Sequence, residues 1–425
     1  MSNSRQLSEF AEVIKECVKC GVCQAHCPTY KVKRREGAVA RGKIALAASL
    51  LDGENHLEPR LLEDVSMCLM CGSCMAKCPN KVPTGEIVGA IRRQITQEKG
   101  LSPVGYGVSA LLSSPKLFQG LVKAGAALSP LMLKKVPETS GLRLRFPSPL
   151  MKDRTLPKMP AKNLFDRVPE FINGQPDRPL VGFFAGCSIS YLYPEIGEAM
   201  VGVLKGLGFS VFTPRSQRCC GIPALSAGNG KLVDTLSAAN MEAFAKWDCQ
   251  HIVTACASCN GGIGEYYRTM HIDHENFTDK VIDFSVLLEQ EGLFARLLSM
   301  AKWPPAQRRK VTYHDPCHLR TQNITGPPRE LLRCLPNIDF VEMEDAATCC
   351  GLGGTFSVYH YEESKKIGAR KMGGLQKSGA ELVATGCPGC IMQLQDSINH
   401  AGLMVRAVHI LELLAEALAE EPAVL

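Results

Sequence analysis

No run of about 18 apolar residues occurs anywhere in the 425-residue chain, so no membrane-spanning helix is expected. Met1 to Phe10 lacks a basic region followed by an apolar stretch, which argues against a secretory leader. Aromatic residues are only 6% of the chain, with two tryptophans, and no aromatic–basic interleaving suggests a nucleic-acid surface. No G-x-G-x-x-G follows a predicted strand, and no Walker loop is present. Gly261-Gly-x-Gly264 and Gly351-x-Gly-Gly354 lie too close to cysteines to serve as such loops. Without a flavin or nicotinamide site, hydride chemistry on an organic substrate needs a second protein. Length and composition then predict a cytoplasmic protein of two or three domains.

Cysteine is abundant instead, at 20 residues, and 18 of them fall into four ordered clusters. In a reducing compartment, thiols at fixed spacing read as metal or redox ligands rather than disulfides. Only Cys249 and Cys334 lie outside the clusters, and both read as packing residues.

The first two clusters are Cys17-x2-Cys20-x2-Cys23-x3-Cys27-Pro28 and Cys68-x2-Cys71-x2-Cys74-x3-Cys78-Pro79. In this bacterial ferredoxin run three cysteines hold one [4Fe–4S] cube and the fourth reaches across to the other. The expected sets are therefore Cys17, Cys20, Cys23 and Cys78 for one cube, and Cys68, Cys71, Cys74 and Cys27 for the other. Gly21 and Gly72 permit close backbone approach. The prolines turn the chain away without adding a donor. Zinc is the competing reading, but it favours two separated C-x2–4-C pairs. Helices are expected over Val39 to Leu51, Glu58 to Met67 and Pro83 to Lys99.

The other two clusters are copies of each other. Cys187, Cys219-Cys220 and Cys256-x-x-Cys259 recur as Cys317, Cys349-Cys350 and Cys387-x-x-Cys390, at an offset of 130 residues for the first three and 131 for the last two. Each copy predicts three strands. In the first these are Leu180 to Cys187, Phe209 to Phe212 and His251 to Cys256; in the second, Val311 to Cys317, Asp339 to Val341 and Glu381 to Cys387, the first and third strand of each ending in cysteine. A helix precedes each third strand, about Lys231 to Trp247 and Tyr361 to Ser378. Alternating strands and helices imply parallel sheet, with ligands beyond the carboxyl ends of the strands. The cysteines fall there, one site per repeat. Adjacent cysteines cannot both serve one tetrahedral ion without strain, but they can bridge neighbouring irons. Zinc on four of the five remains an alternative.

Residues 101–179 carry 12 Lys/Arg against 5 Asp/Glu and 11 prolines. Gly105 to Lys135 predicts short amphipathic helices broken at Pro115 and Pro130, and Pro137 to Pro179 an irregular linker. A docking face for a partner subunit or an anionic membrane surface is the functional alternative. The expected plan is α+β multidomain: a helical two-cluster ferredoxin domain over 1–100, the basic segment over 101–179, and α/β repeats over 180–300 and 301–425. His26, His314 and His318 lie beside cysteines, where histidine more often hydrogen-bonds sulfide than ligates iron. Arg320 reads as a structural or cluster-charge partner, and Lys31-Val-Lys-Arg-Arg35 as a solvated basic face.

These motifs resemble a known superfamily over nearly the whole chain outside 101–179. The C-terminal half is similar to the duplicated cysteine-rich "CCG" domain, C-x(31)-C-C-G followed by C-x-x-C, which heterodisulfide reductases use for noncubane [4Fe–4S] clusters held by five cysteines. A two-cluster ferredoxin followed by two such repeats resembles the iron–sulfur subunit of glycolate or D-lactate oxidases. It also resembles the iron–sulfur subunit of anaerobic glycerol-3-phosphate dehydrogenase and the fused D-type heterodisulfide reductase chain. Cys349-Cys-Gly-Leu-Gly-Gly-Thr-Phe356 and Cys317-His-Leu-Arg320 look most like the first branch. The resemblance implies an electron conduit between an FAD-containing dehydrogenase partner and a quinone or another acceptor. Placement would be cytoplasmic or peripheral at the inner face of the membrane. It implies two cubane clusters and one or two more in the repeats. Direct disulfide reduction at the repeats is the rival reading.

Overall fold

The computed structural model describes residues 5–135, 142–146, 148, 152–270, 277–301 and 308–419. Part of the expected linker over 137–179, including 149–151, lies outside them.

The first hundred residues are helical. Ala40–Leu51, Pro59–Ser66 and Thr84–Lys99 match the three expected helices within a residue. Thr84–Lys99 turns Ile87, Val88 and Ile91 onto Phe10, Ile14, Ile44, Leu61 and Val65, a core of its own. The i, i+1, i+4 spacing of those three residues puts them on one stripe of the helix.

Each repeat is a parallel sheet with the same strand order. In the first, Ser210–Phe212, Leu180–Phe184, His251–Thr254 and Val281–Asp283 lie side by side. In the second the order is Ile338–Phe340, Arg309–Tyr313, Leu382–Thr385 and Arg406–His409. The central strands are covered on both faces, which is why Val181 to Phe184 reads as an unbroken apolar run. The fourth strand of each sheet was not among the expected elements. Val281–Asp283 is only three residues long, too short to show period-two alternation.

The repeats face each other about an internal pseudo-twofold. Helix Pro194–Gly206, which follows the first cysteine of one repeat, packs on Ile410–Leu418 at the end of the other. Reciprocally, Gly326–Cys334 packs on Phe284–Gln290.

The middle segment departs from the expected broken helices and linker. Pro103–Ser113 and Pro115–Met132 are helices capped by Ser102 and Ser114, so the break at Pro115 is present. The break at Pro130 is absent, because Pro130 sits only two residues before the helix ends and removes a single hydrogen bond. Phe171–Ile172 adds an antiparallel edge strand to the first repeat's sheet. Farther back, the Thr155 N–H donates to Asp396 (2.7 Å), and Asn399 donates to the Thr155 hydroxyl (2.8 Å). The segment is strapped to both repeats.

The ferredoxin domain presses its second motif into the second repeat. Gly72 has φ +66°, and a Cβ there would lie 2.3 Å from Thr321 Cγ2. Glycine is required at this position for its left-handed backbone and for the close contact. Arg320 completes the joint by donating to the Ser73 hydroxyl (2.7 Å) and to the backbone oxygens of Cys71 (3.4 Å) and Ala347. That is a structural role. Lys31 to Arg35 is not merely solvated: Lys33 pairs with Glu363 of the second repeat at 2.6 Å, and Arg35 pairs with Asp64.

Candidate metal centres

The ferredoxin cysteines gather at two places. One cavity is lined by Cys17, Cys20, Cys23, Cys74 and Cys78. A second is lined by Cys27, Cys68, Cys71 and Cys74, so Cys74 borders both cavities. The grouping follows from the twin loops. Lys19 and Met70, each just before the second cysteine, are both left-handed at φ 54°, and Gly21 and Gly72 just after it are left-handed too. This alternation curls three thiols toward one point. Cys20 is exposed, whereas Cys71 is buried. The first set therefore has a member open to solvent, and the second has one buried against the repeats, the other six cysteines being intermediate.

The second set carries cations that motif reading did not identify. Lys43 is 1% exposed, lies near Cys27 and Cys68, and donates to the Gly37 carbonyl at 3.0 Å. Burial depresses its pKa. Arg92 donates to the backbone oxygens of Val65 (3.1 Å), Ser66 (3.2 Å), Cys68 (2.7 Å) and, across the domain joint, Ser226 (3.2 Å). Only the lack of an exposed register on their helices marks these residues in sequence, and that signal appears once the helix faces are known. His26 is exposed and lines neither cavity, so no contact of its ring supports the expected hydrogen bond to sulfide.

The two five-cysteine sets are not separate. Nine of the ten, all but Cys219, line one cavity of about 740 Å³ between the repeats, with His318 and Ser258 in its wall. Cys219 is held at 3.4 Å from Cys187 on the adjoining side. Each repeat brings its cysteines to the carboxyl ends of its strands, and the pseudo-twofold turns those ends toward each other. Ala257 N donates to the Gly386 carbonyl (2.9 Å), Asn260 to Gln322 (2.9 Å), and the Ser258 hydroxyl lies 3.6 Å from the Cys387 sulfur. Pro103, Val104, Val108 and Leu111 of the middle segment form an apolar wall. Cys249 and Cys334 face neither cavity; Cys249 packs against Gly182 in the first sheet.

Cys71 of the ferredoxin domain also lines this cavity, packed in one cluster with Cys349. The contact raises the pKa of the Cys71 thiol, and burial adds to the effect. Burial raises Cys317, with neighbouring thiols contributing, and contacts with Cys350 and Cys387 raise Cys390. Cys350 shifts down through its contacts with Cys349 and Cys390. A packed array of this kind cannot ionise in full unless positive charge sits between the sulfurs. Lys371 supplies part of it from the rim of the second set. It is fully buried, is held by the carbonyls of Asp345 (2.7 Å) and Ala346 (3.0 Å), and burial lowers its pKa to about 8.

The donor chemistry fits iron–sulfur centres. All 20 cysteines are free. Cys350 and Cys390 stand 3.6 Å apart, close enough to share a metal site, a separation that zinc would accept as readily as iron. Gly351, at φ +102°, turns the chain sharply after the paired cysteines, and a Cβ there would lie 2.7 Å from the Ser364 carbonyl.

Comparison with known proteins agrees with this arrangement. Residues 13–82 match a family described as a 4Fe-4S dicluster domain, and residues 181–264 and 311–395 match the cysteine-rich CCG domain. The chain is 31% identical to the probable glycolate oxidase iron-sulfur subunit of Bacillus subtilis, over 96% of both chains. It is 26% identical to the glycolate oxidase iron-sulfur subunit of Escherichia coli, over 99% of this chain and 97% of that one. It is 28% identical to the D-type chain of the dihydromethanophenazine:CoB–CoM heterodisulfide reductase of Methanosarcina barkeri, over 95% and 93%. No helix among the described residues is long and apolar enough to cross a membrane.

Proposed function

Because the chain belongs to the family of glycolate-oxidase-type iron–sulfur subunits, we propose that it conducts electrons from a flavoprotein that oxidises a 2-hydroxy acid toward a quinone. The chain is an electron-transfer subunit of an oxidoreductase, related also to heterodisulfide reductase. The observation that carries the proposal is the series of thiol sites. It runs from exposed Cys20, through the Cys27, Cys68, Cys71 and Cys74 set, across the Cys71–Cys349 contact, into the shared cavity. We assign Cys17, Cys20, Cys23 and Cys78 to one cubane cluster and Cys27, Cys68, Cys71 and Cys74 to the other. Cys187, Cys219, Cys220, Cys256 and Cys259 hold a third centre, and Cys317, Cys349, Cys350, Cys387 and Cys390 a fourth.

Bound clusters supply one-electron redox chemistry. The protein excludes water, compensates charge through Lys43, Arg92 and Lys371, and fixes the spacing of the sites through the Gly72 and Arg320 joint. The middle segment supports peripheral membrane placement. Residues 101–137 contain four lysines and no acidic residue. Helix Pro115–Met132 exposes Leu117, Leu121, Leu128 and Leu131 at helical spacing.

A second reading rests on the shared cavity. A small disulfide lodged between the two cysteine sets could take one electron from each side and two protons to give two thiols. Anaerobic affinity purification from the native host, on soluble and membrane fractions separately, tests the proposal. The expected result is a flavoprotein that oxidises lactate or glycolate, recovered with the chain from the membrane fraction. A partner without flavin, together with disulfide reduction by the reduced chain alone, would replace the first reading with the second.

A further inference from the structure

The two repeats match in their cysteines but not in what lies behind them. At the end of strand Arg309–Tyr313 the chain places His314, 1% exposed, with its backbone N–H held by the Ala384 carbonyl at 2.9 Å. Neither ring nitrogen of His314 has a hydrogen-bond partner. An orphaned buried donor or acceptor costs about 1–3 kcal/mol, so a group with no partner among its protein neighbours points to one outside them. The partner's place is defined by two sulfurs: a His314 ring nitrogen, Cys350 Sγ and Cys390 Sγ all lie within 4.8 Å of one another.

The first repeat has no counterpart. The offset of 130 residues puts Phe184 at the equivalent position. Phe184 is fully buried and stacks on Phe244 at 5.9 Å between ring centroids. One repeat thus offers carbon where the other offers nitrogen. The sequence assigns His314 only a hydrogen bond to sulfide; the two unpaired nitrogens and the flanking thiols carry the assignment further.

We propose that a ring nitrogen of His314 ligates iron in the second repeat, as a sixth protein donor beside the five cysteines, so that the two repeats hold chemically different centres. The inference rests on the reading that the second repeat binds iron–sulfur. Imidazole is a neutral donor, so it adds a ligand without adding the negative charge of a thiolate; the two centres then differ in ligand type and number while keeping five thiolates each.

The test is pulsed EPR on the reduced, cluster-loaded full chain, with histidine at natural abundance and 15N-labelled. The expected result is a directly bonded nitrogen coupling that changes with the label. It should persist in His318→Phe and vanish in His314→Phe, there without loss of iron. Redox titration of His314→Phe should move the potential of the second centre and leave that of the first unchanged. Phenylalanine is the substitution of choice because the first repeat already accommodates it there. A second-centre signal with no bonded nitrogen in the unsubstituted chain overturns the inference and leaves the cluster reading intact. If replacing Cys349 and Cys350 together with alanine loses no iron, the second repeat holds none, and the reading and the inference fall together.

Discussion

Replacing Cys71 with alanine is expected to disconnect the two halves of the chain. Cys71 is the one ferredoxin cysteine that lines the cavity between the repeats, and it packs in one cluster with Cys349. Its removal takes away one of four thiols from its ferredoxin set and the sulfur that the ferredoxin domain places in the shared cavity. In the complex purified with its partner, substrate should still reduce the partner at an unchanged rate, while quinone reduction falls to background. Iron should drop by about four atoms per chain, the content of one cubane cluster. Ser73→Ala is the control. It removes a hydrogen bond from Arg320 at the same joint but no thiol, and should retain most of the rate. Quinone turnover that survives Cys71→Ala would mean that electrons bypass the ferredoxin–repeat contact.

The largest stability effect is expected at Arg92. Its guanidinium gathers the carbonyls of Val65, Ser66 and Cys68, at the end of helix Pro59–Ser66, and reaches Ser226 in the first repeat. Alanine would strand several buried carbonyls at once and remove the positive charge beside the Cys68 loop. Each stranded group costs roughly 1–3 kcal/mol, so a total of about 4 kcal/mol is expected. Lysine should recover only part, since one ammonium cannot span the planar fork. Anaerobic thermal unfolding followed through cluster absorbance checks this. Arg92→Ala should lose the ferredoxin cluster on Cys68 first, and a melting curve matching the unsubstituted chain would refute the bridging role.

What could be read in advance was set by local chemistry. Cysteine spacing groups the thiols because the loops within each motif are short, and the strand–helix alternation of each repeat follows from burial on both sheet faces. The ferredoxin helices were legible for the same reason, since Ile87, Val88 and Ile91 fall on one stripe. Relations between distant segments were not legible. Nothing near Cys256 or Cys387 in sequence says that the two strand ends face each other across a pseudo-twofold, so two separate sites are the natural expectation and one shared cavity is the outcome. Lys33, set among other basic residues, looks solvated until Glu363 is brought to 2.6 Å from it. Pro130 looks like a helix breaker, yet its cost shrinks to one hydrogen bond when the helix ends two residues later. His314 differs from His26 only in what the fold puts behind it.

The central claim is that clusters fill both halves of the chain. Iron, sulfide and zinc analysis of the anaerobically purified full-length protein, with an EPR-monitored redox titration, tests it most directly. The account predicts ~16 iron atoms per chain, four at each of four [4Fe–4S] sites, no stoichiometric zinc, and more than two titrating centres. A content of ~8 iron and ~2 zinc atoms, with only two titrating centres, would contradict it, because the repeats would then be zinc-bound scaffolds beside a two-cluster ferredoxin.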